Sequence, residues 1–97
     1  MKRPTLVRET FGGESYDYYP IGHCIVAAPG VCGGRPTFKY TRLEVAVVLD
    51  LLAVGWTIED VMREYAQSRL TAEAIAEAVR LAKKAFVVTA TVAQPAE

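Results

Sequence analysis

The sequence predicts a mainly α fold with a small β element at its N-terminus, and three observations carry that reading. Thr41, Thr57 and Thr71 each stand immediately before a helix-like run. Ahead of residue 40 the chain consists instead of short β-branched and aromatic stretches punctuated by glycine and proline. At the far end, Val88, Ala90 and Val92 alternate with Thr89, Thr91 and Ala93, which predicts a C-terminal strand ending before Pro95.

Taken in order, "TLVRETF" (5–11), the pair Gly12-Gly13 and "ESYDYYPIG" predict a β-hairpin, with Tyr16 and Tyr18 on one face of an extended strand. "HCIVAA" and "PTFKY" are further short strand candidates in a turn-rich stretch, 25–40. Between them "PGVCGGRP" reads as a bend: glycine opens positive φ, and Pro29 and Pro36 stiffen its ends. It lacks the G-x-x-x-x-G-K-[ST] pattern of a phosphate loop, and Pro36 removes an amide donor.

The first helix is expected at about 42–54, capped by Thr41 with Glu44 at capping-box spacing and stopped by Gly55. Only Glu44 and Asp50 are charged between Leu43 and Val54, so the helix is expected to be buried all round. A 97-residue chain has little to bury it with, which implies self-association. Val47, Val48, Leu51 and Leu52 are its candidate interface; Tyr18, Tyr19 and Trp56, with Tyr16, are either aromatic anchors of an interface or rings packed over the small β element. A second helix is expected at about 58–66, opened by Thr57 and Asp60. A third, about 72–86, opens at Thr71, with Glu73 in its first turn and Lys83 and Lys84 in its last. Its stripe of Ile75, Val79, Ala82 and Phe86 reads as core.

Composition is that of a globular chain: 52% hydrophobic, 23% charged and no net charge. Residues 1–42 nevertheless hold six Lys and Arg against three Asp and Glu, and residues 43–97 five against eight. The candidate contacts for DNA or another acidic partner are Lys2, Arg3, Arg8, Arg35, Lys39, Arg42 and, on the third helix, Arg80. No apolar run reaches the roughly 18 residues that span a membrane. The basic start lacks the apolar core of a secretory signal, so a cytoplasmic protein with two reduced thiols, Cys24 and Cys32, is expected. One histidine and two cysteines fall short of a zinc or thiol-catalytic set, so no catalytic residue, metal or cofactor is expected.

The run Pro29, Val31, Cys32, Gly33, Gly34, Arg35, Pro36, then Thr41-Arg42, then Val48-Leu49-Asp50-Leu51-Leu52 and Gly55 resembles one known family, domain of unknown function 433. That family carries an Ile-Val run, D-P-x-[IV]-C-G-G-[KR]-P, then G-T-R and a buried helix ending in glycine. Residues 25–82 follow the pattern, with two departures: Ala28 stands at the aspartate and Tyr40 at the glycine before Thr41. The resemblance implies a trihelical, homeodomain-like helix-turn-helix core preceded by a small β element. It also implies an antitoxin role beside a PIN-like nuclease. The organisation expected is an N-terminal extension with its hairpin (1–24), the family-like domain (25–86) and a tail (87–97).

The leading expectation is thus a non-enzymatic protein-binding module that self-associates and neutralises a PIN-like nuclease. Lys2, Arg3 or Arg8 would enter the nuclease's acidic site, or the 87–93 strand would extend its sheet. The alternative is a DNA-binding autoregulator, and a third is a purely structural self-assembling protein. Against the second stands the start of the third helix, where a DNA reader needs bidentate donors and this chain offers Ala72, Glu73, Ala74 and Glu77.

Overall fold

The computed structural model describes the backbone of residues 5–93 and the side chains of residues 5–88. The fold is mixed α/β: an antiparallel four-stranded sheet in the order β1-β2-β3-β4, followed by three helices. This corrects the mainly α expectation, because the short segments after residue 24 join the hairpin in one sheet. β1 (Val7–Phe11) and β2 (Glu14–Pro20) pair from Val7 opposite Tyr18 to Phe11 opposite Glu14. Gly12 and Gly13 close them with φ of 62° and 81°, the double positive φ of a type I′ turn. β3 (Ile25–Ala27) pairs with β2, and β4 (Thr37–Phe38) pairs with β3 through Ile25 opposite Phe38.

Strand alternation on β3 splits the core in two. Ile25 joins Phe38, Val45, Val48, Val61, Leu70, Ala74, Ile75 and Ala78 in the main core between sheet and helices. Val26 points the other way, to Tyr18 and the buried Ala28. The bend follows, with Cys32, Gly33 and Gly34 at φ of 50°, 65° and 84°. Arg35 then grips the start of the helical half, donating to both Glu44 oxygens at 2.9 and 3.3 Å.

The helices are α1 (Val45–Ala53), α2 (Ile58–Glu64) and α3 (Ala72–Ala93). α2 begins as its capping box predicts: Asp60 N–H donates to the Thr57 hydroxyl, and Thr57 N–H donates to the Asp60 carboxylate. Thr71 caps α3 by accepting from Ala74 N–H. α1 does not start at Thr41. The Thr41 hydroxyl donates to the Phe38 carbonyl and accepts from Leu43 N–H, making a local turn, and Glu44 is drawn to Arg35. Nor is α1 buried all round: Val45 and Val48 are buried, while Val47 and Val54 stay exposed.

The C-terminal strand expected at 87–93 is helix instead. Nothing between Phe86 and Ala93 breaks the helix begun at Thr71. Adding a β-branched residue to an existing helix costs only about 0.5 kcal/mol, far less than starting a strand with no neighbour. Pro95, the first breaker, lies outside the described residues.

A second carboxylate, after Glu44, joins the two halves. Glu77 of α3 accepts from the backbone N–H groups of His23 and Cys24, at 2.9 and 2.7 Å, in the β2–β3 turn. Gly22 lets it in, since a Cβ there would lie 2.7 Å from the Glu77 carboxyl carbon. Burial alone pushes this carboxyl up. The two amides, with His23 and Arg80, outweigh burial and hold it below its ordinary value.

Two stability predictions follow from this arrangement. Glu77→Ala should cost about 2 kcal/mol, read by chemical denaturation, because it strands two amides. The folded carboxyl titrates below the unfolded value of about 4.3. Its contribution is therefore complete above that value and is lost as pH falls through the folded one, so wild type should lose more stability between pH 5 and 3 than Glu77→Ala. Separately, the Thr37 hydroxyl is fully buried with no hydrogen-bond partner among the described residues. Thr37→Val should stabilise the fold by about 1 kcal/mol.

Candidate functional site

Three of the four described basic residues of the first half are engaged within the chain. Arg8 faces Asp17 across the hairpin at 3.5 Å, Arg35 holds Glu44, and Lys39 lies 3.5 Å from Glu9. Lys2 and Arg3 lie outside the described residues. Arg42 is exposed, its carbonyl accepting from the Cys32 thiol, and Arg80 is exposed on α3. Among the described residues the basic side chains of 5–42 therefore form no continuous cationic face, and Arg42 is the unpaired cation there.

Around Lys39 the chain assembles an aromatic cluster that sequence reasoning did not connect. Glu9 is its centre, accepting from the Tyr18 hydroxyl and, at 2.6 Å, from the Tyr40 hydroxyl. These bonds, Tyr18's first and then Tyr40's, hold Glu9 below the usual carboxylate range. Phe11 stacks on Tyr40 with centroids 4.7 Å apart, and Tyr16 tilts against both. Lys39 Nζ sits 4.9 Å from the Tyr18 ring and 5.0 Å from the Tyr40 ring.

Tyr40 occupies its place with φ of 68°, in a turn closed by Thr41 N–H donating to the Phe38 carbonyl. A glycine adopts that conformation freely and a tyrosine does not. Contacts in compensation reach back to the hairpin: Tyr40 N–H donates to the Tyr16 hydroxyl at 2.9 Å, and its own hydroxyl donates to Glu9. Tyr40 thus clasps β1 and β2 to the β4–α1 loop.

The candidate interface residues fall into two groups. Val48 and Tyr18 are buried inside the chain itself, in the main core and the hairpin core, and offer no surface to a partner. Leu51, Leu52 and Trp56 are half-buried against the main core, and Tyr19 is half-buried on β2. Val47 at 40% exposure and Val54, the residue that ends α1, at 75% flank the exposed Asp50 on the outward side of α1.

α3 divides lengthwise. Ala74, Ala78, Leu81, Ala85 and Val88 recur at spacings of 4, 3, 4 and 3, a single stripe along the helix. Ala74 and Ala78 are buried and Leu81 half-buried, but Ala85 is exposed and Val88 is 56% exposed. The core-facing stripe continues past the end of the body it covers. The stripe read as core from the sequence divides as well: Ile75 is buried, and Phe86 is 72% exposed. Cys24, in the β2–β3 turn, has its thiol pushed up by burial and then by Glu77 and Glu73, opposite to the lowering that activates a cysteine nucleophile. Neither cysteine is bridged, and no helix among the described residues is long and apolar enough to cross a membrane.

Fold and surfaces define a small sheet-and-helix domain whose exposed features are apolar helix faces and an aromatic–cationic cluster. The chain belongs to the family described as protein of unknown function (DUF433), whose model matches residues 25–82. No curated protein and no solved structure is significantly similar to it. The match begins at the first residue of β3 and ends one residue after Leu81, so the hairpin and the outrunning half of α3 both lie beyond it.

The clasp can be tested by cutting it where the backbone gains. Tyr40→Gly relieves the positive φ and keeps the backbone N–H that donates to Tyr16, but removes the stack on Phe11 and the hydroxyl's bond to Glu9. Limited proteolysis should then cleave within 5–20 at least about tenfold faster, while residues 25–82 stay resistant.

Proposed function

We propose that this protein is a non-enzymatic protein-binding module, the antitoxin-like member of a pair that neutralises a PIN-like nuclease, and that it also self-associates. The observation that carries this reading is the outrunning stripe of α3, Ala85 and Val88 on one side with Phe86 on another, open to solvent beyond the body of the domain. Apolar side chains on a projecting helix are the material of helix-in-groove recognition, in which anchors at i, i+3, i+4 and i+7 enter a partner's cleft. That mode replaces the sheet augmentation expected of a C-terminal strand. Self-association rests on the outward face of α1, where a second copy would cover Val47 and Val54.

The DNA-binding alternative draws less support. At the N-terminal end of α3, Ala74 and Ile75 are buried and Glu77 is engaged with the β2–β3 turn. Ala72 and Glu73 remain outward, and neither is a base-reading donor. A bare structural oligomer would leave the end of α3 without a role.

The test is a pull-down of tagged protein from DNase-treated native extract, with bound proteins identified by mass spectrometry. Wild type should recover a small nuclease near stoichiometry, and Phe86→Asp/Val88→Asp should lose it by at least about tenfold while melting within about 1 kcal/mol of wild type. Oligomer mass by light scattering should survive that change and fall with Val54→Asp. Recovery of the bait alone, or an undiminished partner on the double variant, would overturn the proposal.

A further inference from the structure

A groove of about 740 Å³ runs between the aromatic cluster and the α2–α3 connection. Three separate segments supply its walls: Phe11 from β1, Lys39, Tyr40 and Arg42 from the β4–α1 loop, and Ser68 and Arg69 from the turn ahead of α3. Its lining holds three cations and no carboxylate. Glu9, at the hydroxyl end of Tyr40, balances Lys39. Arg42 and Arg69 are exposed and have no ion-pair partner among the described residues, so two guanidinium groups are available at the groove.

Two further features mark the place. Phe11, 51% exposed, ends the stack on Tyr40 and offers a π-face beside those cations. Of the three non-glycine residues with positive φ among the described residues, two line this groove, Tyr40 at 68° and Arg69 at 53°. Backbone strain of this kind collects where a side chain must be presented in a fixed direction. Arg69 takes its left-handed conformation as the residue that ends the Ala66–Ser68 turn, which faces the Tyr40 ring across the groove.

We propose that this groove binds a nucleotide unit, its base continuing the Tyr40–Phe11 stack and its phosphate held by Arg42 and Arg69. Stacking on an aromatic face beside a cationic track is how single-stranded nucleic acid is held without base reading, and guanidinium forks match phosphate oxygens. The same chemistry accepts a free nucleotide or one within a single strand. This site is independent of the protein-binding reading: it uses neither α1's outward face nor the end of α3.

The experiment titrates the full chain at 50 mM salt, using fluorescence anisotropy with labelled dT12 and calorimetry with ATP. Saturable binding of dT12 assigns the site to a single strand, and binding of ATP alone assigns it to a free nucleotide; either outcome supports the proposal. Arg42→Gln/Arg69→Gly should raise Kd at least about tenfold, with glycine keeping the backbone conformation of residue 69, and Phe11→Leu, which keeps an apolar side chain, at least about fivefold. Arg80→Gln, remote from the groove lining, should change Kd less than about twofold. Failure of both probes to bind, a groove variant that binds like wild type, or an equal loss in Arg80→Gln would overturn the proposal.

Discussion

The Glu77 carboxylate on the His23 and Cys24 amides is the interaction on which the rest of this structure depends. The β2–β3 turn has two backbone donors with no strand to receive them, and α3 has an acid one turn from its buried face. Each solves the other's problem. The contact fixes the azimuth of α3, and with it Ile75 and Ala78 fall onto Ile25 and Phe38 in the main core. It also places the exposed faces: once residues 74–78 are held to the sheet, the remainder of a helix about 33 Å long must project. Self-association and partner binding, as proposed here, both use surface that this anchoring leaves uncovered.

A second constraint works at the other end of the sheet. Tyr40, at the position the resemblance assigns to glycine, has a conformation suited to glycine, and its ring and hydroxyl hold a hairpin that the family match does not reach. Strain at one loop position is exchanged for an aromatic stack, a bond to Glu9 and a docked hairpin. The same exchange stacks Tyr40 on the exposed Phe11 ring and sets up the aromatic wall of the groove. Ala28, the other departure, is buried beside Tyr18 and Val26, and its carbonyl accepts from Val31 N–H, so the bend closes without a side-chain acceptor.

Features carried by short-range chemistry were legible in the sequence. The Gly12-Gly13 turn, the Thr57 and Thr71 caps and the bend at 29–36 each follow from residues within three or four positions. Features that depend on distant partners were not. Thr41 and Glu44 have capping-box spacing, but Arg35 takes the glutamate and the Phe38 carbonyl takes the threonine. "VVTATVA" alternates like a strand, but alternation says nothing about whether a neighbouring edge exists, and the helix upstream supplies its own hydrogen bonds. Apolar residues alone could not show that Val48 is core while Val47 is surface, because that depends on where the sheet lies. Glu9 and Arg69 carry no local signal at all. Tyr40 did carry one, as a bulky residue at a glycine position.

The central claim is that the ionised Glu77 carboxylate ties the β2–β3 turn to α3 and so sets the helix's azimuth on the sheet, and an NMR titration tests it most directly. Amide proton shifts of His23 and Cys24 would be followed beside the Glu77 side-chain carboxyl carbon from pH 7 to 2. All three should move together with one midpoint below the ordinary glutamate value of about 4.3. Amide shifts that ignore the carboxyl, or a Glu77 midpoint at or above that value, would contradict the account.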